Sequence, residues 1–160
     1  MAGTETNNRR GLVATILGYS DSLAARASDT VLLVGRLAMG IIFFQSGFAK
    51  LAALGAFSAS LGNRGVAFPG FWGPVGAISE FTGGTLIILG LGTRYAAALI
   101  VVFVIIATSI AHRYWEFAEP ARRVQEGQFY KNLAIIGGAL FLFICAAGRF
   151  SLDAILMKKR

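Results

Sequence analysis

Residues 99–107 of the chain have the sequence LIVVFVIIA, and residues 135–144 have the sequence IIGGALFLFI. Neither stretch contains a charged residue, and neither alternates apolar and polar residues as a membrane-barrel strand does. Each lies within a longer apolar run that approaches the roughly 20 residues a helix needs to cross the hydrocarbon core of a bilayer. These two stretches therefore predict transmembrane α-helices.

Outward from these stretches, the chain contains two further runs of similar character. The four predicted spans cover residues 30–50, 72–91, 95–112 and 130–147. Only Gly92-Thr93-Arg94 separates the second span from the third, which predicts a tight antiparallel turn. We therefore predict an all-α membrane protein whose residues 30–157 form a four-transmembrane-helix bundle.

The composition of the 160-residue chain also indicates a membrane location. Apolar residues make up 56% of the sequence, charged residues only 14%, and the mean hydropathy is +0.66. A soluble domain of this composition would have too little polar surface to cover its core. The chain is thus expected to be a multi-pass protein of the inner (plasma) membrane, surrounded by the lipid bilayer.

Residues 1–29 are polar at first and then amphipathic. The apolar positions of this segment recur at helical spacing: Leu12, Ile16, Tyr19 and Leu23. Such a stripe predicts an N-terminal helix that lies in the membrane interface before the first span. A signal peptide, with Arg9-Arg10 before a short apolar region, is the alternative. At the other end of the chain, residues 158–160 form a basic tail.

The net charge of +7 comes from cations that flank the apolar runs, which suits anionic lipid headgroups. No recognition motif accompanies the charge, so nucleic acid is not an expected partner. With four spans both termini lie on one side, and that side carries eight cations against six on the other. The positive-inside rule then predicts that both termini face the cytoplasm.

The two longer connections between spans carry structural signals of their own. Residues 52–61 predict a short amphipathic helix that the following glycines end. Residues 112–119 are expected to continue the third helix beyond the membrane until Pro120 stops it. Five aromatic residues predict an interfacial belt at this membrane face: Trp72, Tyr114, Trp115, Phe129 and Tyr130.

Two ionisable side chains fall inside predicted spans, where a charge is costly and indicates either function or pairing. Glu80 lies about 12 Å deep in the second span. The residues around it on its own helix face are all small: Gly76, Ala77, Gly83 and Gly84. That bare face predicts a close contact with another helix. Because Arg36 lies on a similar face of the first span, we expect either a structural Arg36–Glu80 ion pair or a ligand- or proton-binding site built around it.

A small-molecule site is expected in the non-cytoplasmic half of the bundle, among Lys50, Glu80 and His112. Lys50 and His112 end their spans at the membrane face from which Glu80 is reached. Glu116 and Glu119 follow His112 at helical spacing, but one imidazole and two surface carboxylates are a poor ligand set, so no metal site is predicted.

The sequence also bears on cofactors. It has a single cysteine and no nucleotide-binding or haem-attachment motif, so no covalently bound cofactor is expected. Electron chemistry would then need a mobile carrier, such as a quinone, or the cofactor of a partner.

Several motifs of the chain resemble those of the DoxX family, over about residues 31–156. They are Gly47-x2-Lys50-Leu51, Glu80-x2-Gly83-Gly84, Gly92-x-Arg94 and the sequence GRFSLD at residues 148–153. The resemblance implies a small four-helix protein of the inner membrane. It also implies a link to quinone-dependent redox chemistry, because the family is named for a subunit associated with quinone-linked thiosulfate oxidation. Ser46 stands where many members carry a histidine.

The closing motif has a physical explanation that needs no catalysis. Ser151 is expected to cap a short terminal helix, with Asp153 in the first turn of that helix. Arg149 is expected at the membrane surface, where it would hold Asp153 or a phospholipid.

The sequence leaves three functional hypotheses open. In the first, the chain is a redox-associated membrane subunit that binds a quinone or anchors an oxidoreductase partner. In the second, it is a non-catalytic scaffold or assembly protein whose buried charges only specify packing. In the third, it conducts protons or a small solute with the help of Glu80 and His112. Whether the chain is an enzyme or forms a homo-oligomer is not decided by the sequence.

Overall fold

The computed structural model describes the backbone of residues 2–158 and the side chains of residues 14–158. This part of the chain contains six α-helices, a short 3₁₀-helix at Tyr114–Glu116, and no strand. The helices are α1 (Ala2–Ala52), α2 (Leu54–Asn63), α3 (Pro69–Leu89), α4 (Thr93–Ala111), α5 (Ala121–Cys145) and α6 (Leu152–Lys158). The predicted all-α fold class is confirmed.

Among the described residues, three stretches are long and apolar enough to cross a membrane: Ala14–Ala52, Thr93–Glu116 and Ala121–Cys145. They contain the first and third predicted spans and all but the last two residues of the fourth. The second predicted span corresponds to α3, whose 21 residues would extend about 32 Å. Helix α3 contains four glycines within residues 73–84, two prolines and the charged Glu80, and it is not among these three stretches, so a count of four spans stays a prediction.

Helix α1 runs without interruption through the predicted boundary at residues 29 and 30. Its apolar stretch Ala14–Ala52 has 39 residues, or about 58 Å, which is roughly twice the thickness of the hydrocarbon core. One end of α1 must therefore extend beyond that core. The side chains of Leu12 and of Arg9-Arg10 lie outside the described residues, as do residues 159–160 of the basic tail, and the interfacial position of residues 1–29 stays a prediction.

Helices α1 and α3 are in direct backbone contact, which small residues make possible. A Cβ atom added at Gly47 would lie 2.4 Å from the Phe81 backbone nitrogen, and one added at Gly84 would lie 2.5 Å from the Phe44 backbone nitrogen. Such approach is how membrane helices gain packing energy without a hydrophobic driving force. The contact fixes the register of the two antiparallel helices and so decides which residues of α1 face Glu80.

Helices α3 and α4 are joined by the predicted tight turn, in which Gly90 and Gly92 have positive φ angles of 64° and 56°. Next to this turn the two helices pack closely, and a Cβ at Gly83 would lie 2.7 Å from Cδ1 of Ile100. Helix α5 covers the other side of α4 and adds to one shared core. The fully or almost fully buried members of that core include Phe43, Ile87, Ala97, Ile100, Val104 and Ala139.

The connection between α4 and α5 differs from the expected helix extension. Helix α4 ends at Ala111, and α5 begins at Ala121, nine residues before the predicted span. In between, the Tyr114 ring lies 5.4 Å from that of Phe129, measured between ring centres, and 5.3 Å from that of Trp115. The Tyr114 ring therefore packs on Phe129 of α5, in the edge-to-face arrangement that aromatic pairs prefer, instead of extending into solvent on a continued α4.

Candidate functional site

Glu80 and Lys50 form an ion pair where α3 contacts α1. Glu80 is only 4% exposed. The Lys50 ammonium donates hydrogen bonds to Oε2 of Glu80 and, at 3.1 Å, to Oγ of Ser46. It also lies 5.3 Å from the centre of the Phe57 ring and 5.8 Å from that of Phe103, within the range of cation–π attraction. The Glu80 carboxylate is therefore paired inside the bundle and does not face outward.

A cavity of about 650 Å³ lies between α2, α3 and α4, with Lys50 of α1 in its lining. Most of the lining side chains are apolar, including Phe57, Leu99 and Phe103. The polar side chains in the lining are those of Lys50, Ser60, Arg64, Ser79 and His112. A cavity of this size, with apolar walls and few polar groups, is typical of small-molecule sites.

Three of the four candidate residues are associated with this one cavity. Lys50 and His112 both line it, and Glu80 lies directly behind Lys50. Trp72, expected near the entrance, also lines it, whereas Tyr130 packs against Tyr114 with ring centres 6.4 Å apart. That these residues bind a ligand or a proton stays a prediction.

Arg36 lies elsewhere, and the expected Arg36–Glu80 ion pair is replaced by the Lys50–Glu80 pair. The Arg36 side chain is buried, and its Nη2 donates to the carbonyl oxygen of Phe150 at 2.5 Å. Its Nη1 lies so close to Gly90 that a Cβ there would be 1.6 Å away. Within residues 14–158, Nε and Nη1 of Arg36 have no hydrogen-bond partner. Arg36 thus holds the segment before α6 against the α3–α4 turn.

Asp153 caps the first turn of α4. Its carboxylate accepts hydrogen bonds from the backbone N–H of Gly92 at 2.7 Å, from that of Thr93 at 2.9 Å, and from the Thr93 hydroxyl at 2.8 Å. Burial by itself would raise the pKa of Asp153, but these hydrogen bonds and the nearby Arg36 charge together hold the pKa below its ordinary value of 3.8. The carboxylate therefore connects α6 to the α3–α4 turn.

The other two residues of the closing motif also have local partners. Oγ of Ser151 accepts a hydrogen bond from the backbone N–H of Ala154 at 3.1 Å, which is the expected cap of α6. Arg149 does not hold Asp153. It contacts Asp29 of α1 instead, through its backbone N–H at 2.8 Å and its Nε at 3.9 Å.

His112 ends α4 with a hydrogen bond of 2.8 Å between its Nδ1 and Oε1 of Gln125. The two carboxylates that follow it pair with arginines, at 3.2 Å for Arg113–Glu116 and 3.9 Å for Arg123–Glu119. Across the part of the chain that the structure describes, no group of three or more histidine, cysteine, aspartate and glutamate side chains is placed to hold a metal ion.

Sequence reasoning missed several residues of these sites. Phe57 and Phe103 are apolar residues in apolar helices, and nothing in their spacing separates them from ordinary core residues. Arg64 contributes only a charge to the sequence pattern, although it directly follows Asn63, the last residue of α2. Thr93 did offer a signal. The first N–H groups of a helix need acceptors, and the closing motif GRFSLD supplies a carboxylate, that of Asp153.

The helical bundle, its buried ion pair and its apolar cavity define the class of a small helical membrane protein. A DoxX family model matches residues 31–113, just over half of the chain. The chain therefore belongs to the DoxX family.

Two relatives of nearly equal length are inner membrane proteins of Escherichia coli strain K12. The protein YqjF is 34% identical over 134 residues, which cover 84% of this chain and 98% of that protein. The protein YphA is 31% identical over 137 residues, which cover 86% of this chain and 96% of that protein. The Surfeit locus protein 4 homolog of Schizosaccharomyces pombe is 28% identical over 78 residues, 48% of this chain and 26% of that protein. No solved structure matches the chain.

Proposed function

We propose that this DoxX-family inner-membrane protein binds a quinone in the cavity beside Lys50 and so serves as a membrane subunit for an oxidoreductase partner. The observation that carries the proposal is the cavity itself. It has about 650 Å³ of space, mostly apolar walls, and a buried ion pair at its edge. A quinone needs such a combination, because its ring and tail are apolar while its carbonyl oxygens accept hydrogen bonds.

Lys50 supports the proposal through its donors. An ammonium group has three N–H donors. Among the described residues, Glu80 and Ser46 accept two of them. The third is available to a ligand in the cavity, where a carbonyl oxygen would accept it. Glu80 keeps the ammonium in place and neutralises it, so the site suits a neutral headgroup.

The aromatic rings support the proposal through stacking. Phe57 and Phe103 lie on α2 and α4 and both line the cavity close to the Lys50 ammonium. A planar ring that accepts a hydrogen bond from Lys50 would lie against one of these faces, in the offset or edge arrangements that aromatic pairs prefer. His112 and Arg64 provide further donors elsewhere in the lining.

The test is direct binding of decyl-ubiquinone to the purified full chain in lipid nanodiscs. The chain has two tryptophans, so a Trp115→Phe background leaves Trp72, a cavity residue, as the only tryptophan whose emission is followed. We expect saturable quenching of Trp72 by the quinone. Glu80→Gln should weaken binding several-fold because Lys50 loses the carboxylate charge that positions it, and His112→Ala should weaken it as well.

Glu116→Gln is the matched control, since Glu116 pairs with Arg113 at the surface and does not line the cavity. Its affinity should equal that of the parent chain. Absence of binding by the parent chain, or equal binding by all variants, would contradict the proposal and favour the scaffold hypothesis.

A further inference from the structure

Helices α3 and α4 pack tightly at one end and separate at the other. Seven residues before Gly90 of the turn, Gly83 lies so close to Ile100 that an added Cβ would be 2.7 Å from Cδ1 of that side chain. Toward the end where His112 lies, the facing residues of the two helices line the cavity instead, among them Ser79 on α3 and Ala107 on α4. The cavity thus occupies the space that opens where these helices diverge.

The rim of this opening faces outward and is apolar. We call it the α3–α4 gap and define it by Trp72 and Val75 on α3 and by Val102 and Ile106 on α4. These four residues line the cavity and are also exposed on the outer surface, by 48%, 38%, 55% and 55%. None carries a charge, and Val102 and Ile106 belong to a predicted membrane span. The outer surface of the gap therefore suits lipid.

The end of the cavity that lies under α2 is covered. Helix α2 is docked on α3 so closely that a Cβ at Gly73 would lie 2.1 Å from Oγ of Ser58. Arg64, just after α2, donates from Nη1 to the carbonyl oxygen of Ala111 at 3.2 Å and so connects α2 to the end of α4. We call α2 together with Arg64 the roof of the cavity.

We infer that ligands enter this cavity sideways from the bilayer through the α3–α4 gap, and that its substrates are membrane-dissolved molecules with a polar headgroup and an apolar tail. The headgroup lies beside Lys50, and the tail leaves between Val75 and Ile106 into lipid. Only the identity of the headgroup, a quinone, rests on the proposed function. The entrance follows from the exposed apolar rim and the roof, whichever headgroup is bound.

Cysteine labelling tests the entrance without any quinone. Cys145 is exposed and is the only cysteine of the chain, so Cys145→Ser gives a clean background. Ser79→Cys then places a thiol of similar size in the cavity lining. In proteoliposomes, we expect a dodecyl maleimide, which dissolves in the bilayer, to label this thiol faster than a charged, water-soluble maleimide with the same reactive group does. Gly76→Cys is a second reporter, because a Cβ there makes only ordinary contacts, the nearest at 3.8 Å with Phe57.

A pair of neighbouring positions on α4 then tests the gap itself. Ile106 is part of the gap, whereas Ile105 is similarly exposed, at 49%, and does not line the cavity. Ile106→Phe should slow dodecyl maleimide labelling several-fold, and Ile105→Phe should leave the rate unchanged. All rates are compared at one pH, because the thiolate is the reacting form.

Faster labelling by the charged reagent at both cysteines, or equal slowing by the two phenylalanine variants, would overturn the lateral entrance. Failure of quinone binding is a separate result. If decyl-ubiquinone does not bind while the labelling pattern holds, the quinone assignment is wrong and the entrance for tailed amphiphiles stands. If decyl-ubiquinone binds and the labelling pattern fails, the quinone assignment stands and the lateral entrance is wrong.

Discussion

At the scale of single residues, the Lys50–Glu80 pair has two unequal partners. Glu80 has a side chain that is 5% exposed, whereas the Lys50 side chain keeps 28% of its surface accessible along the cavity. If one partner is removed, the other charge stays unpaired. The free-energy cost of an unpaired charge is greatest where the charge is most deeply buried. The two single substitutions should therefore differ in their effects.

We predict that Lys50→Met destabilises the protein more than Glu80→Gln does. Lys50→Met leaves a buried carboxylate alone and should cost about 3 to 5 kcal/mol, whereas Glu80→Gln leaves a partly solvated ammonium and should cost on the order of 2 kcal/mol. The double variant Lys50→Met/Glu80→Gln should destabilise the protein by clearly less than the sum of the two single effects. Free energies of unfolding from detergent titration measure all three variants.

The matched comparison is the pair Arg36→Met and Glu80→Gln. Arg36 lies against Gly90, which is ten residues or about 15 Å along α3 from Glu80, so these effects should add. A coupling between Arg36 and Glu80 as large as that between Lys50 and Glu80 would contradict the observed pairing.

The sequence correctly indicated that Glu80 faces another helix, because small residues surround it on its own helix face. It did not indicate which cation Glu80 meets. That depends on the register of α1 and α3, which the contact of Gly47 with Phe81 sets. The depth of a residue in its span does not reveal such a backbone contact. Several glycines of α1 could each have contacted α3 equally well, and each would have set a different register.

At the scale of elements, α6 is a short helix that is held by polar contacts with two distant parts of the chain. Asp153 binds the start of α4, and the preceding Phe150 carbonyl accepts from Arg36 of α1. The sequence motif predicted the Ser151 cap because capping is local. It could not predict the Asp153 contacts, because they join residues about 60 positions apart.

We predict that Asp153 makes stability depend on pH in the acid range. Because its folded pKa is held below the ordinary value of 3.8, the carboxylate stabilises the fold fully above that value. The stabilisation falls as the pH drops from the ordinary value through the folded pKa. Thermal unfolding midpoints in a non-ionic detergent, measured from about pH 6 to about pH 3, should decline more steeply for the parent chain than for Asp153→Asn.

At about pH 6, Asp153→Asn should cost roughly 1 to 2 kcal/mol, because hydrogen bonds to a charged acceptor are replaced by weaker ones to a neutral amide oxygen. The variant and the parent should become more alike as the pH falls. Equal acid dependence of the two proteins would show that Asp153 is not the titrating group.

At the scale of the whole molecule, the described contacts sort residues to two opposite ends of the bundle. Asp29 of α1, the α3–α4 turn and residues 149–153 meet at one end. Lys50, α2 and His112 lie at the other. The sequence predicted both groupings, because tight turns and alternating spans determine the ends of a helical bundle. The sequence did not predict the bends within residues 112–120, because these residues make aromatic contacts with α5 that are not local.

We predict that the end containing residues 149–153 faces the cytoplasm, with both termini on that side. The motive is the count of eight cations against six under the positive-inside rule. A C-terminal fusion to a reporter that fluoresces only in the cytoplasm should be active. Activity from a C-terminal reporter that works only in the periplasm would reverse the orientation.

The Asp153 cap also has a consequence for biogenesis. Translation delivers the α3–α4 hairpin to the membrane before Asp153 and Phe150 exist, because both follow α5 in the chain. During that interval the first N–H groups of α4 lack their carboxylate acceptor, and the Arg36 guanidinium lacks its carbonyl. These contacts can therefore form only after α5 and residue 153 have been synthesised, which makes the capping of the α3–α4 turn a late step in the assembly of the bundle.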